Sequence, residues 1–548
     1  MHRRNFLSTM CLSKRLFALV FCVLALARVG ICQKYIATGA EVAPQRGVYE
    51  VRLKASRATA NPYFDTRLDV TFTTPTGKNI TVEGFFDGAR TYKARAYTGE
   101  TGVWKWNSQS NDPGLDKKSG SFRVGLSDLK GKLRVSSSDR GQFSYDNGDW
   151  FLHIGDTGYR YLIPTEANWQ QYVDEADESG ITKIRAWFAQ SRSTVELLFT
   201  PDRKSLNLPF WQEMERRLDY ALSWHPHVIF ELIPYAEDAA EINRYPTDAW
   251  SQYIARYAQA RWSAFPNVQW TMTNDRPIIR DQPITGTAVA WKTIDMMGKD
   301  MAARESWGTL ITNHQRRFSG YDFAGATWSN FVTLEDIDQV AGVRILEYRA
   351  KDAGPVVLDE DRYELYRNPV NRRYYFRRLM WASLLSGGSA TYGGLRTFEP
   401  SDDSGARGIA GYYAANRAGL LYQGAHDFIQ IHKFFRDSNL TLIGMKPEDA
   451  LVGGDPSRWK CIHDESNYIV YIANPTGTDP ATDNPAVLRA TAEVKLPSGR
   501  FSVRWFNPRT GVWTKDQEVD GGTQKLSAPA LPGMLSSEDW IVLLSVQH

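Results

Sequence analysis

LPFWQEMERRLDYALSWHPHVIFELIP, residues 208–234, sets an amphipathic helical stretch directly before a short apolar run with strand character. Repeated along a chain, that unit argues for a parallel sheet covered by helices. It is repeated here. Between about Leu133 and Arg436 eight strand candidates follow one another: WFLHIGD (150–156), ITKIRAWF (181–188), HVIFELIP (227–234), VQWTMTND (268–275), GTLITNH (308–314), FAGATWSN (323–330), PVVLDE (355–360) and SATYGG (389–394). The segments between them include the helical stretches TEANWQQYVDEADESG (165–180) and NRRYYFRRLMWASLLSG (371–387). Eight strands each followed by a helix, over roughly 300 residues, are what a (β/α)8 barrel requires. An open, doubly wound sheet is the competing arrangement, but it would carry a glycine-rich phosphate turn after its first strand. HIGDTGYR (153–160) supplies none.

Outward from this core the period changes. VYEVRLKA (48–55), RLDVTFTT (67–74), NITVEGFFDG (79–88), TYKARAYT (91–98) and GVWKWNS (102–108) alternate with period two and are separated by turn residues, so residues 33–128 are expected to form an N-terminal β-sandwich. At the other end CIHDESNYIVYIAN (461–474), ATAEVKLPSG (490–499), RFSVRWFNPRTGVW (500–513) and DWIVLLSV (539–546) give the same signal, and residues 437–548 read as a C-terminal β-sandwich. Its stretch NPTGTDPATDNP (474–485) is loop chemistry. The fold class is therefore α/β, a TIM barrel over 133–436 flanked by two sandwiches, and 548 residues suffice for three such cores.

Residues 1–32 differ in kind. Arg3, Arg4, Lys14 and Arg15 precede the apolar run Leu16–Ala27, which is short for a membrane span and reads as a secretory signal peptide. Cleavage fits after Ala27 or after Cys32; lipid anchoring at Cys32 is disfavoured by the bulky Ile31 before it. Five basic residues and no acid leave with the segment, which turns the formal charge from +3 to −2. Nothing then favours nucleic acid or an anionic membrane as partner. Cys461 becomes the lone cysteine, so the exported protein relies on core size rather than disulfides, and the strand-like setting WKCIHDES (459–466) makes it a buried thiol. The expected location is secreted or periplasmic, with no membrane span in the mature chain, which is expected to be a monomer.

In a barrel of this kind the loops and strand ends converge on one bowl at the carboxyl side. Read in order, the strand ends supply Asp156 and Tyr159, Arg185 and Trp187, Pro234 and Tyr235, Asn274 and Asp275, His314, Trp328, Glu360, and Tyr392. Strands four and seven lie on opposite sides of the mouth, so Asp275 and Glu360 can face each other across it. Two opposed carboxylates are the minimal equipment for glycosidic cleavage: one arrives protonated to help the leaving oxygen, and the other is ionised to meet the charge at the anomeric carbon. A gap of about 5 to 5.5 Å gives retention of configuration and one of about 6.5 to 9.5 Å admits a water and inverts it; retention is expected. In the strand PVVLDE, alternation points Glu360 inward and Asp359 and Asp361 away, and Tyr363 follows where its hydroxyl can orient Glu360. Arg276, Arg362 and Arg185 are nearby cations able to pair with these acids.

The central region resembles the apiosidase-like glycoside hydrolases, relatives of the clan of retaining (β/α)8 glycosidases, through FLHIGDTGYRYL (151–162), NDRP (274–277) and VLDEDRYE (357–364). The first part is similar to a β-sandwich domain that often precedes such barrels, through NPYFD (61–65), VEGFFDG (82–88) and TGVWKW (101–106), and the end to a collagen-binding-like sandwich, through WFNPRTGVW (505–513) and DWIVLL (539–544). The resemblance implies Asp275 as general acid/base, Glu360 as nucleophile and Asp156 as a sugar contact. Where the family commonly has two glycines before the acid, Thr273 and Asn274 stand here, and Asp359 replaces the usual Gly or Asn before the nucleophile. These changes touch the innermost sugar pocket, so the implied chemistry is retaining glycosidase chemistry rather than apiose recognition.

Other motifs are discounted. His225-Pro226-His227 has metal-ligand spacing but precedes strand three and lies on the face opposite the bowl. SDDSGARG (401–408) reads as a solvated loop rather than a calcium site. Cys-x-x-Cys, His-Glu-x-x-His and Gly-x-Ser-x-Gly are absent from the sequence. No cofactor and no metal are called for. The function expected is a secreted glycoside hydrolase acting on a polysaccharide or oligosaccharide of plant or algal origin. The substrate-binding set is Asp156, Tyr159, Arg185, Trp187, Asn274, Arg276, His314, Trp328, Tyr363 and Tyr392. A non-catalytic carbohydrate-binding protein on an inactive barrel is the alternative.

Overall fold

A computed structural model describes residues 34–163, 169–188, 196–281, 283–337, 339–364, 373–394, 422–453, 455, 457–473, 491–514, 516–528 and 539–547. Residues 1–33, with the expected signal peptide and Cys32, and the stretches 401–408 and 474–485 lie outside the described residues.

The centre is a (β/α)8 barrel of parallel strands β1 (Ile154–Asp156), β2 (Lys183–Trp187), β3 (Ile229–Ile233), β4 (Val268–Thr271), β5 (Ile311–Thr312), β6 (Val332–Glu335), β7 (Val356–Glu360) and β8 (Ser389–Tyr392). The ladder runs β5-β4-β3-β2-β1-β8-β7-β6. Among the described residues no ladder joins β5 to β6; one backbone bond, from the Asn330 N–H to the Ile311 carbonyl at 2.9 Å, and several side chains lace them together instead. Asn330 Oδ1 accepts from the Ile311 N–H at 2.7 Å, Thr312 Oγ1 donates to the Phe331 carbonyl at 2.8 Å, and Thr333 Oγ1 donates to the Asn313 carbonyl at 2.6 Å.

Helices α1 (Trp169–Glu178), α2 (Leu208–Trp224), α3 (Ala249–Trp262), α4 (Trp291–Arg304), α5 (Val343–Ala350), α6 (Arg373–Leu385) and α7 (Phe428–Ser438) cover the sheet. Strand residues are therefore buried on both faces, as in KIRAW of β2, where all five are buried. Asp248 begins α3 by accepting from the backbone N–H groups of Trp250 and Ser251, which satisfies donors the helix cannot.

The sixth strand is not where its sequence signal was sought. FAGATWSN is a turn-rich connection, no helix follows β5 among the described residues, and the strand is Val332–Glu335. Gly325, Ala326 and Ser329 give little for a strand to pack, whereas Val332, Thr333 and Leu334 are strand formers.

The N-terminal end of the barrel is closed by the hairpin Leu133–Val135 and Phe143–Tyr145, whose side chains cluster with Phe151, Ile229, Leu310, Phe331 and Val357. Before it, one sheet of four strands and one of five pack face to face between Ile36 and Gly125, with Tyr49 stacked on Phe122 at 3.6 Å. This sandwich joins the barrel through buried ions. Arg95 pairs with Glu50 of its own sheet and with Glu215 of α2 at 2.6 Å each, and Arg261 of α3 pairs with Glu215 and Asp87.

The C-terminal strands form one connected seven-stranded sheet. Its long strand Thr491–Asn507 shifts register between Leu496 and Arg500, pairing with Gln517–Ser527 on one side and Trp540–Val546 on the other. The sheet thereby encloses Cys461, Val470, Val494, Val503, Trp505 and Val542. Burial pushes the Cys461 thiol up, away from reactivity. Arg377 of α6 anchors this region by donating to Asp539 at 2.7 and 2.8 Å and to Asp427 at 2.7 Å.

Candidate active site

Alternation along β2 sends Lys183, Arg185 and Trp187 into the barrel. Lys183 Nζ lies 2.5 Å from Asp359 Oδ1 and 2.8 Å from Glu231 Oε2, and Gln269 donates to the same Glu231 oxygen at 2.9 Å. All four are buried, where an unpaired charge would cost several kcal/mol. Against that burial penalty, Arg185 and Lys183 hold the Asp359 carboxyl well below the usual carboxylate range.

Arg185 stands one step nearer the mouth and touches both sides of it. Its Nη1 donates to the Tyr159 hydroxyl at 2.7 Å and the Asp359 carbonyl at 2.8 Å and lies 3.3 Å from Glu360 Oε2. Its Nη2 donates to Asn274 Oδ1 at 2.6 Å. A planar fork of fixed donors suits this task, because one rigid cation then sets the positions of residues from β7 and the β4 end together.

Glu360 is held from three directions. Tyr159 donates to Oε2 and Tyr363 to Oε1, each at 2.6 Å, and Arg185 adds its charge. Burial pushes the Glu360 carboxyl up, while the guanidinium and the two phenols favour its charged form. The Tyr159 ring stacks on Trp187 at 4.3 Å and an interplanar angle of 6°, which fixes the hydroxyl that reaches the carboxylate. The Glu360 side chain keeps 12% exposure at the bowl.

Asp275 stands at the β4 end with φ at 44°, a left-handed conformation that Asp tolerates better than most residues. In a regular strand Asn274 and Asp275 would face opposite sides; this turn leaves Asn274 buried on Arg185 and Asp275 at 36% side-chain exposure. The Asp275 N–H donates to His314 Nδ1 at 3.5 Å. Arg276 reaches 4.0 Å from Asp275 and 3.6 Å from Glu237, a carboxylate from the loop after β3. Burial raises Glu237 to about 7, helped by Asp275 and Glu360 and opposed by Arg276.

A further carboxyl that the sequence reading missed sits among these groups. Glu335, the last residue of β6, has 7% side-chain exposure, accepts from the Arg317 backbone N–H at 3.0 Å and contacts the Asp275 carboxyl at hydrogen-bonding range. Burial raises its carboxyl to about 10, with the Glu360 and Asp275 charges adding to the effect. The signal for it was the run FVTLE (331–335), with β-branched Val332 and Thr333, obscured by the misplaced strand.

His314, Glu335 and Glu360 bring donor atoms within 4.8 Å of one another. The set is not arranged as a cation site: both Glu360 oxygens accept from phenols, and His314 Nδ1 accepts from Asp275, which leaves the proton on Nε2. That Nε2 makes no hydrogen bond among the described residues although it is buried. Burial, with Arg185, keeps the imidazole neutral by moving it well below its ordinary value.

Tyr159, Arg185, Trp187, Asn274, Asp275, Arg276, His314, Glu360 and Tyr363 thus converge on one end of the barrel, and three expected members do not join them. Tyr392 points outward, its hydroxyl donating to Glu364 and its ring packed on Phe376 and Phe428; Thr391 takes the inner position, donating to Asp359. Asp156, paired with Tyr392 in register, also faces outward and accepts from Tyr172 of α1 at 2.7 Å. Burial lifts it to about 7. Trp328 lies in the β5–β6 connection and donates to Asp295 of α4 at 3.0 Å, its indole filling the space that Gly298 leaves. Asp359 does not point away from the interior. A register shift between β6 and β7 pairs Leu334 with Leu358 but Glu335 with Glu360, and this irregularity lets Asp359 and Glu360 both serve the barrel axis.

Residues 137–441 match the family described as apiosidase-like, catalytic domain, and residues 44–111 match a domain of unknown function, DUF5060. No curated protein matches the sequence. Among solved structures, the chain is similar to a candidate glycoside hydrolase from Bacteroides vulgatus at 18% identity and a TM-score of 0.68, covering 93% of this chain and 100% of that one. A glycoside hydrolase family 5 structure from the same organism aligns at 14% identity and a TM-score of 0.59, covering 76% and 94%. A third, described as a glycoside hydrolase, gives 14% and 0.58 over 76% and 97%.

Proposed function

We propose that this chain, which belongs to the apiosidase-like catalytic-domain family and is a glycosidase, is exported and cleaves O-glycosidic bonds of plant or algal polysaccharide with retention of configuration. The observation that carries the catalytic assignment is the setting of Glu360, clamped by Tyr159, Tyr363 and Arg185 with Asp275 exposed to the same bowl. A nucleophile must be ionised and immobile; an acid/base must reach water and the leaving oxygen. Glu360 attacks the anomeric carbon as Asp275 protonates the departing oxygen, and Asp275 then activates the water that releases the sugar. Trp187 and Tyr159 wall one side, and His314 Nε2–H offers a donor to a sugar hydroxyl. Export rests on the basic and apolar pattern of residues 1–32.

The test is product analysis on pectic, hemicellulosic and algal polysaccharides with the wild type, Asp275→Asn and Glu360→Gln. Either variant is expected to lose about three orders of magnitude or more in rate, and NMR is expected to show the retained anomer first. Wild-type rates in both variants would refute the assignment, and an inverted first product would refute retention. Amino-terminal sequencing of the exported protein is expected to begin at Arg28 or Gln33.

A further inference from the structure

Asp275 follows the end of β4, and Glu335 and Glu360 end β6 and β7; Glu335 brings an oxygen within 4.8 Å of one on Glu360 and shares a side-chain hydrogen bond with Asp275. Two carboxyls can share a hydrogen bond only if a proton lies between them, because ionised carboxylates are acceptors alone. We infer that Glu335 is a positioning residue that stores the catalytic proton, so that Asp275 and Glu335 work as one acid with a single proton between them. This inference rests on the glycosidase reading above.

The groups that face Glu335 make the arrangement specific. Asp275 and Glu360 crowd it with negative charge, neutral His314 stands beside it, and Arg317 offers a backbone N–H at 3.0 Å with its guanidinium Nε at 3.7 Å. Crowding of like charge within a buried site keeps one member of such a pair protonated. Burial and those two carboxylates raise Glu335 to about 10.

The proton then moves when it is needed. In the first half-reaction the bond from the anomeric carbon to the leaving oxygen breaks, a bond from that carbon to Glu360 forms, and the single proton held by Glu335 moves to Asp275, which passes it on to the departing oxygen. Formation of the ester removes the Glu360 charge, and with it part of the repulsion that kept Glu335 protonated. In the second half-reaction water attacks the anomeric carbon, the bond to Glu360 breaks, and the water proton returns through Asp275 to Glu335.

Infrared difference spectroscopy of the full chain tests this without any substrate. At pH 7 the wild type minus Glu335→Gln spectrum is expected to contain one carbonyl stretch of a protonated carboxyl, and Asp275→Asn is expected to shift that band. Absence of the band, or its indifference to Asp275→Asn, would overturn the inference. A kinetic arm uses 4-methoxyphenyl and 2,4-dinitrophenyl glycosides of a sugar the wild type hydrolyses. Glu335→Gln is expected to lose about tenfold or more on the first, whose departure needs a proton, and less than about twofold on the second. Glu335→Asp is expected to recover part of the loss. Equal losses on both substrates, or none, would refute proton storage. Glu360→Gln must abolish both rates; if it does not, the glycosidase reading itself has failed, whatever Glu335 does.

Discussion

Replacing Tyr363 by Phe removes one oxygen from the bowl and leaves the ring in place. That oxygen donates to Glu360 Oε1 at 2.6 Å, while Oε2 keeps Tyr159 and Arg185. A hydrogen bond to a charged group contributes about 1.5–3 kcal/mol, and at about 1.4 kcal/mol per tenfold the expected fall in kcat/KM is about ten- to 150-fold. The same loss should appear in the titration of Glu360. Removing a donor disfavours the carboxylate, so its pKa rises further, and the acid limb of the kcat/KM profile moves to higher pH. Activity at high pH should therefore recover more than activity at low pH. The assay is a pH–rate profile on an aryl glycoside, with thermal unfolding as the control for folding. An unmoved acid limb with a rate within twofold of wild type would refute the idea that this phenol holds the nucleophile.

Three further outcomes follow from packing. Asp156 is raised by burial to about 7, above its unfolded value, so its stabilising contribution is full below pH about 4 and is lost as pH rises through about 7; Asp156→Asn is expected to raise the Tm at pH 8 by more than at pH 4, and an equal change at both would sink the point. Arg377→Met takes from Asp539 its two-pronged partner and leaves Asp427 with Arg373 alone, and a loss of about 3–5 kcal/mol is expected in denaturant titrations; a loss below about 1 kcal/mol would show the anchor to be dispensable. Tyr392→Phe is expected to leave KM within twofold of wild type, because its hydroxyl binds Glu364 among the helices; a large rise in KM would place it back in the bowl.

The barrel was legible because helical and strand periods alternate strongly, and the ends of β4 and β7 were legible because NDRP and VLDEDRYE stand at clear boundaries. What stayed hidden depended on register. Asp359 lies inside on the same face as Val357, and the pairing irregularity between β6 and β7, which no single strand reveals, brings Glu360 inward beside it. Tyr392 and Thr391 exchange faces for a similar reason: one step along β8 decides which is seen by substrate. Glu335 was lost with its strand, since Trp328 drew attention to a segment that turns rather than extends. Arg185 reads from the sequence as a sugar contact, yet its contacts with Asn274, Tyr159 and the adjacent pair Asp359 and Glu360 come from three separate places in the chain and belong only to the folded state.

The staves β5 and β6 meet without a continuous backbone ladder, and this places an open seam of the cylinder beside the carboxyls of the bowl. His314 follows the first lip and Glu335 ends the second. Any widening of that slit parts the imidazole from the carboxyl and admits water to the shared proton, so the hydroxyls of Thr312 and Thr333 act as stitches on a seam whose tightness governs how dry the chemistry stays.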